Sequence, residues 1–201
     1  RVYVGLPDAA GRKFFLEREL AKYSFQTVSE AAVESIARRS PGFSLATLEL
    51  IIQNALRHGE KEGMFTLTDT ILEEAFASFT DGERKVCDEE TLTKTAYHEA
   101  GHALVALLLG IKPLYATIAG RANYGGYVCY SEEDKRLFTR EECRNRMCIA
   151  LAGRAADVLS YGDGGISTGA SSDLRSATEM AMDMVCRYGM DSSLVYMEAE
   201  K

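Results

Sequence analysis

The sequence lacks any cluster of basic residues, and its formal net charge of −7 is spread evenly over both halves of the chain. Proteins that bind nucleic acid usually present a concentrated positive patch to the phosphate backbone. Its absence indicates that nucleic acid is not a partner. Long apolar runs are lacking too: the longest, residues 103–111, is far below the ~20 residues that a membrane-spanning helix needs. No signal peptide is recognisable at the amino terminus.

Paired cysteines are also lacking. The five cysteines form no C-x-x-C pair and are odd in number, at positions 87, 129, 143, 148 and 186. Disulfide frameworks use even numbers of cysteines in oxidising compartments, so this pattern predicts free thiols in a reducing compartment. We expect the cysteines on helices, Cys143, Cys148 and Cys186, to lie in the core.

Helical periodicity predicts four helices in the first 82 residues, after a short strand at residues 2–4. We expect the first helix at about 9–22 and the third to end at Gly59, with Phe14 and Phe79 facing the core. Each helix is preceded by a side chain that can cap its first turn: Asp8, Ser29, Ser44 and Thr68. The polar segment 80–90 is the expected boundary. The sequence therefore predicts a helical unit over residues 1–82 and a second domain over residues 83–201.

The second domain combines helices with a β-hairpin. Two β-rich runs, 114–118 and 127–130, flank a loop that contains several glycines. Thr139 and Glu142 form a capping-box pattern for a helix that we expect to end at Gly162. A glycine-rich segment, 162–172, follows. The last helix is expected from near Asp173 to Gly189, with these side chains buried: Leu174, Ala177, Ala181, Val185 and Tyr188. The predicted fold class is mainly α with one small β-hairpin.

Two of only three histidines in the chain stand in a His-Glu-x-x-His motif, His98-Glu99-x-x-His102. On a helix, residues four apart lie on one face, so both imidazoles can bind one Zn²⁺ ion. Glu99 can then take a proton from a water that attacks a carbonyl group. Gly101 lies inside this helix at a cost of about 1 kcal/mol relative to Ala, which suggests a close approach to its backbone. The alternative is a buried helix with two incidental histidines.

A third zinc ligand has to come from an acid or a cysteine downstream, because His58 lies far upstream in the first unit. We favour Asp173, because it starts a helix whose dipole stabilises the ionised carboxylate that binds metal. An ordinary helix-start aspartate is the alternative. Asp157 precedes the glycine-rich loop and can instead hydrogen-bond a ligand imidazole from outside the metal's ligand set.

Four segments closely resemble the FtsH family of membrane-anchored, ATP-dependent zinc proteases. Residues 95–103 (TAYHEAGHA) and 167–178 (STGASSDLRSAT) are similar to its two protease motifs. Residues 4–12 (VGLPDAAGR) and 40–44 (SPGFS) are similar to the end of its AAA+ motor module and to the motor's helical lid. The chain differs from the usual family sequence at three places: 42–48 in the lid (GFSLATL), 119–121 in the hairpin (AGR), and 156–158 (ADV), where the family has Ala-Glu-Glu.

The resemblance implies that His98, His102 and Asp173 bind Zn²⁺, that Glu99 is the catalytic base, and that Asp157 supports the site. It implies an AAA+ lid over residues 1–82 and an α-helical metalloprotease domain over residues 83–201, incomplete at its carboxyl terminus. The membrane helices and the motor core that binds ATP and Mg²⁺ would precede Arg1, because the chain contains no Walker motif. The full-length protein would be a hexamer on the cytoplasmic face of a membrane.

The function that follows is an ATP-dependent zinc endopeptidase that degrades unfolded or membrane proteins. Extended substrates would pair with the edge of a strand, and our candidate is the segment Tyr127, Val128 and Cys129; an ordinary hairpin strand is the alternative. A different hypothesis is a divergent, non-proteolytic AAA+ assembly module. The intact set of His98, Glu99, His102 and Asp173 argues against it. A zinc hydrolase for small molecules is disfavoured by the lid.

Overall fold

The computed structural model of the chain describes residues 5–61, 66–122, 124–130, 137–191 and 196. These residues form seven α helices and one two-stranded antiparallel sheet, which confirms the predicted mainly α fold class. The strand predicted at residues 2–4 lies outside the described residues. Contacts divide the chain into two compact units, Arg1–Arg84 with Arg121–Asn123 and Lys85–Gly120 with Tyr124–Lys201.

The first unit is built from four capped helices: α1 (Ala9–Leu20), α2 (Glu30–Arg39), α3 (Leu45–Lys61) and α4 (Asp69–Asp81). The predicted caps are all present, because each of these side chains accepts a hydrogen bond from a backbone N–H three residues later: Asp8, Ser29, Ser44 and Thr68. Two predicted ends are wrong. Helix α1 ends two residues earlier than Lys22, and α3 continues past Gly59 to Lys61.

The core of the first unit is a cluster of aliphatic side chains from all four helices, among them Leu16, Ile36, Leu48, Ile52 and Leu72. Phe14 and Phe79 lie at the surface, and the prediction that they face the core is wrong. The buried side chain of Arg121 also belongs to this unit. It forms an ion pair with Glu74 at 2.8 Å and donates a hydrogen bond to the carbonyl of Gly82 at 2.8 Å.

The second unit contains α5 (Glu89–Leu108), β1 (Pro113–Thr117), β2 (Tyr127–Tyr130), α6 (Arg140–Tyr161) and α7 (Ser171–Cys186). The hairpin register pairs Tyr115 with Cys129 and Thr117 with Tyr127. Two short 3-10 turns, Asp163–Gly165 and Thr168–Ala170, cross the glycine-rich segment between α6 and α7. Helix α6 begins with the predicted capping box of Thr139 and Glu142 and is followed by Gly162 with a positive φ of 67°.

Helix α7 packs against α6, and its buried side chains are Ala177 and Met184. The other four side chains predicted to be buried lie at the surface: Leu174, Ala181, Val185 and Tyr188. Helical spacing identifies the apolar face of a helix but not which elements pack against that face. Among the described residues, the elements that contact α7 bury a narrower part of its surface than the spacing predicts. All five cysteines are free, and Cys143 is buried. The prediction that Cys148 lies in the core is wrong, because it is exposed.

Helices α5 and α6 make the most extensive contact of the second unit. Gly101 of α5 lies directly against α6, and a Cβ atom at Gly101 would come within 2.6 Å of both the Ala152 carbonyl oxygen and the Ala156 Cβ. The sequence expectation of a close backbone approach at Gly101 is therefore met by helix packing. None of the helices in the described parts of the chain combines the length and the apolar composition that crossing a bilayer requires.

We predict that Gly101→Ala destabilises the second unit. In an open helix this substitution would stabilise by about 1 kcal/mol, but here the added methyl group overpacks the contact with α6, which typically costs about 1–3 kcal/mol. Urea unfolding followed by circular dichroism measures the difference. Gly164→Ala is the matched control, because a Cβ there would meet no atom within 4 Å. A Gly101→Ala protein as stable as the control would contradict this account of the packing.

Candidate metal centre and catalytic site

Helix α5 brings the three motif side chains together. His98 and His102 stand four residues apart, and their ring centroids are 4.8 Å apart. His102 and Glu99 are buried, with 7% and 8% of their surfaces exposed. Asp88 caps the start of α5 by accepting a hydrogen bond from the Thr91 N–H. The motif lies on the third and fourth turns of the helix, where backbone hydrogen bonding fixes the positions of both histidines.

The predicted third residue, Asp173, lies in the first turn of α7 and faces the two histidines. Its Oδ2 atom is 3.1 Å from His98 Nε2 and 3.5 Å from His102 Nε2. The potential ligand atoms of the three residues lie within 4.8 Å of one another, and they form the one such group of three found among the described residues. Two imidazoles and a carboxylate are a donor set that suits Zn²⁺. The residues therefore fit a zinc ion.

Helix α6 fixes the opposite sides of both imidazole rings. His98 Nδ1 lies 2.9 Å from the Asp157 carboxylate, and His102 Nδ1 lies 2.7 Å from the Ile149 carbonyl oxygen. Both partners can only accept, so each Nδ1 carries the proton. When the rings are neutral, each Nε2 presents its lone pair to Asp173 and to the space between the three residues. Asp157, the candidate partner of a ligand imidazole, thus lies beside the ring of His98, whereas the Ile149 contact uses a backbone group that no side-chain pattern signals.

The two histidines and Asp173 shift one another's pKa values. The hydrogen bond with Asp173 is the largest effect on His98 and raises its pKa to about 9. Burial disfavours the ionised form of Asp173, but the hydrogen bonds from His102 and His98 outweigh it and lower the pKa of Asp173 to about 2. Burial works against protonation of His102 as well, yet its bonds with Asp173 and Ile149 raise its pKa overall. A metal ion would therefore displace protons from both imidazoles.

Glu99 stands beside this group without belonging to it. Burial raises the pKa of its carboxyl group; the charges of His102 and His98 lower it, and those of Asp173 and Asp157 add to the rise. The backbone of Gly126, which precedes β2, packs on this side chain, since a Cβ atom at Gly126 would lie 3.0 Å from Glu99 Cγ. A buried carboxyl group with a raised pKa is better suited than an exposed one to accept a proton and return it.

Strand β2 contains the predicted substrate segment, and Tyr127, Val128 and Cys129 are all partly buried. The strand pairs with β1 on one edge, and within the described ranges no strand pairs with its other edge. The following residue, Tyr130, was not identified from the sequence. Burial raises the pKa of its phenol, and the charges of Glu99 and Asp173 raise it further. Its signal in the sequence is alternation along the strand, which puts it on the same face as Val128.

Residues 85–201 match the model of Peptidase family M41. Over 95% of its length, the chain is 37% identical to the ATP-dependent zinc metalloprotease FtsH of Mesomycoplasma conjunctivae, of which it covers 26%. FtsH 1 of a Thermoanaerobacter species and FtsH of Rhodococcus erythropolis are each 36% identical over 96% of the chain, which covers 32% and 23% of them.

The chain thus spans about a quarter to a third of the length of these curated relatives. The family model matches more than half of the chain, and the similarity to FtsH proteins extends over nearly all of it. Both findings confirm the resemblance that the motifs indicate. The chain belongs to the FtsH family and contains its peptidase M41 region.

Proposed function

We propose that the chain is the lid and protease portion of an ATP-dependent zinc endopeptidase that degrades unfolded or membrane proteins. The observation that carries the proposal is the convergence of His98, His102 and Asp173 beside the buried Glu99. The names of the relatives support it, since those proteins are ATP-dependent zinc metalloproteases.

In this proposal His98, His102 and Asp173 hold the zinc ion, and Asp157 and the Ile149 carbonyl keep both imidazoles in the tautomer that presents Nε2. A bound zinc ion supplies Lewis-acid activation of a water molecule and of the substrate carbonyl group. The chain's own contribution is to place three ligands in a partly buried site and to hold the rings from α6. Groups that orient ligand imidazoles in this way typically change metal affinity 10–100-fold when they are removed.

Glu99 is the proposed general base. Its carboxylate takes the proton of the attacking water and then transfers that proton to the nitrogen of the leaving amine, so the group returns to its starting state. Burial supports this function because it raises the pKa of the carboxyl group towards the working pH. Glu99 would stay ionised before the reaction if a metal ion were bound, because the positive charge would oppose that shift.

The substrate is proposed to bind as an added strand along the outer edge of β2, at Tyr127, Val128 and Cys129. Strand addition recognises the backbone of an extended peptide, which matches a protease that takes many unfolded sequences. The packing of Gly126 on Glu99 supports this position, because it places the start of β2 next to the proposed base.

The remaining parts of the proposal concern the whole protein. Residues 1–82 are the proposed AAA+ lid and residues 83–201 the metalloprotease domain. ATP and Mg²⁺ would bind in a motor core that this chain does not contain, and membrane attachment would lie in other segments. The full-length protein is proposed to be a hexamer that works on the cytoplasmic face of a membrane. The four capped helices of the first unit support the lid assignment, and the names of the relatives support the ATP dependence.

The metal assignment predicts that one Zn²⁺ ion binds per chain and that Asp173→Asn weakens binding by more than ~100-fold, because it replaces the anionic ligand with a neutral amide. Asp157→Asn should lose only about 10–100-fold, as expected of a group that orients a ligand. Competition with a chelator measures both affinities. Asp163→Asn removes one exposed charge from the glycine-rich segment between α6 and α7 and serves as the control. An unchanged affinity in Asp173→Asn would rule out this ligand.

The base assignment predicts that Glu99→Gln leaves zinc content and ATPase activity intact in the full-length protein. Proteolysis of unfolded casein should fall by about 10²–10⁴, because an amide cannot accept the proton. Glu90→Gln, an exposed position on the same helix, is the matched control. Normal proteolysis by the Glu99→Gln protein would show that another group is the base. A wild-type protein that binds zinc but cleaves no substrate would instead support the hypothesis of a non-proteolytic assembly module.

The domain assignment predicts that trypsin first cuts at Arg84 or Lys85. These two exposed residues lie in an irregular segment between α4 and α5, next to the fully exposed Val86. Mass spectrometry of a short digestion identifies the first cut. If trypsin cut first inside a helix of either unit and left the bonds after Arg84 and Lys85 intact, this result would contradict a boundary between residues 80 and 90.

A further inference from the structure

Gly153, in the middle of α6, faces the two histidines of α5 and has no space for a side chain. A Cβ atom built on its backbone would lie 2.4 Å from both His98 Nε2 and His102 Nε2, and 2.6 Å from His98 Cε1. Real Cβ atoms almost never come within 3.0 Å of a non-bonded heavy atom, so the imidazole rings would have to move. The three atoms nearest to this Cβ position all belong to imidazole rings, and two of them are the nitrogens that we assign as metal ligands.

This environment differs from that of Gly101 on the facing helix. A side chain at Gly101 would collide with the backbone of Ala152 and the methyl group of Ala156, so Gly101 serves the contact between two helices. A side chain at Gly153 would collide with the metal-binding edges of two rings. Zinc–imidazole bonds are about 2.0–2.1 Å long. A methyl carbon 2.4 Å from both Nε2 atoms would thus take up space that an ion shared by them needs.

The position of Gly153 in α6 completes a pattern. Ile149, Gly153 and Asp157 follow one another at intervals of four residues and therefore lie along one face of the helix. The outer two bind the Nδ1 atoms of His102 and His98. Gly153, between them, lies against the Nε2 atoms. One helix face thus provides both acceptors for the rings and, between them, a residue without a side chain beside their Nε2 atoms.

We infer that Gly153 is a positioning residue, whose missing side chain keeps the two imidazoles in place and leaves room for the metal between them. This inference rests on the proposed zinc site and adds a requirement that the ligands alone do not impose. A chain with all three ligands and Glu99 intact, but with any side chain at position 153, would be unable to bind metal in this geometry.

The test compares Gly153→Ala with Gly164→Ala in titrations with Zn²⁺ and with Co²⁺, whose visible absorption reports the ligand geometry. Gly153→Ala should lose more than ~100-fold in affinity for both ions, beyond the range for loss of a supporting group, and its Co²⁺ spectrum should change. Gly164→Ala, at a position where a Cβ atom would meet no atom within 4 Å, should keep the wild-type spectrum and affinity. A wild-type Co²⁺ spectrum and affinity in Gly153→Ala would overturn the inference.

A second measurement needs no metal and also covers a variant that folds poorly. In chelator-treated protein, Gly153→Ala should lower the midpoint of thermal unfolding when both rings are present. In a His98→Ala/His102→Ala background the same substitution should raise it, because the collision is gone and Ala favours the helix. Equal destabilisation in both backgrounds would mean that Gly153 only packs α6, and would overturn the inference. A wild-type chain that binds no Zn²⁺ would defeat the proposed function instead, while this cycle would still test the collision.

Discussion

The close contact between α5 and α6 is the constraint on which the site depends. Gly101 allows the two helix backbones to approach, and this approach brings both Nδ1 atoms of the α5 histidines to acceptors on α6. A wider spacing would leave the buried Nδ1 groups without partners, at a cost of about 1–3 kcal/mol for each unsatisfied polar group. The orientation of the rings therefore depends directly on how closely α5 and α6 pack.

That arrangement concentrates negative charge. Glu99, Asp157 and Asp173 lie near two imidazoles in a largely buried volume, and the charges of Asp173 and Asp157 disfavour the ionisation of Glu99. Positive charge has to accompany them. In the metal-free protein the hydrogen bond with Asp173 raises the pKa of His98, and the bonds from both imidazoles lower the pKa of Asp173. The site is thus balanced for a cation before any cation is bound.

Those features that depend on near neighbours in the chain could be predicted from the sequence. The helix caps at Asp8, Ser29 and Thr68 are local, and so is the four-residue spacing that puts His98 and His102 on one face. Asp173 could be proposed as a candidate ligand because the start of a helix after a glycine-rich loop has a recognisable sequence pattern.

Features that depend on distant parts of the chain could not be predicted. The exposure of Val185 on α7 depends on which helices lie nearby, and periodicity does not contain that information. The Ile149 acceptor is a backbone carbonyl, which every residue has. The requirement at Gly153 becomes visible only when two helices are placed side by side, since a glycine inside a helix has many explanations.

The third ligand candidate has a consequence for the chain as a polymer. Asp173 and His98 are 75 residues apart in sequence, and all five cysteines are free thiols. An ion held by both would close a loop of that size and tie α7 to α5. A covalent cross-link over such a loop removes about 4–5 kcal/mol of unfolded-chain entropy in the simplest model. The metal would then be this chain's counterpart of a disulfide bridge, and one that a chelator rather than a reductant can open.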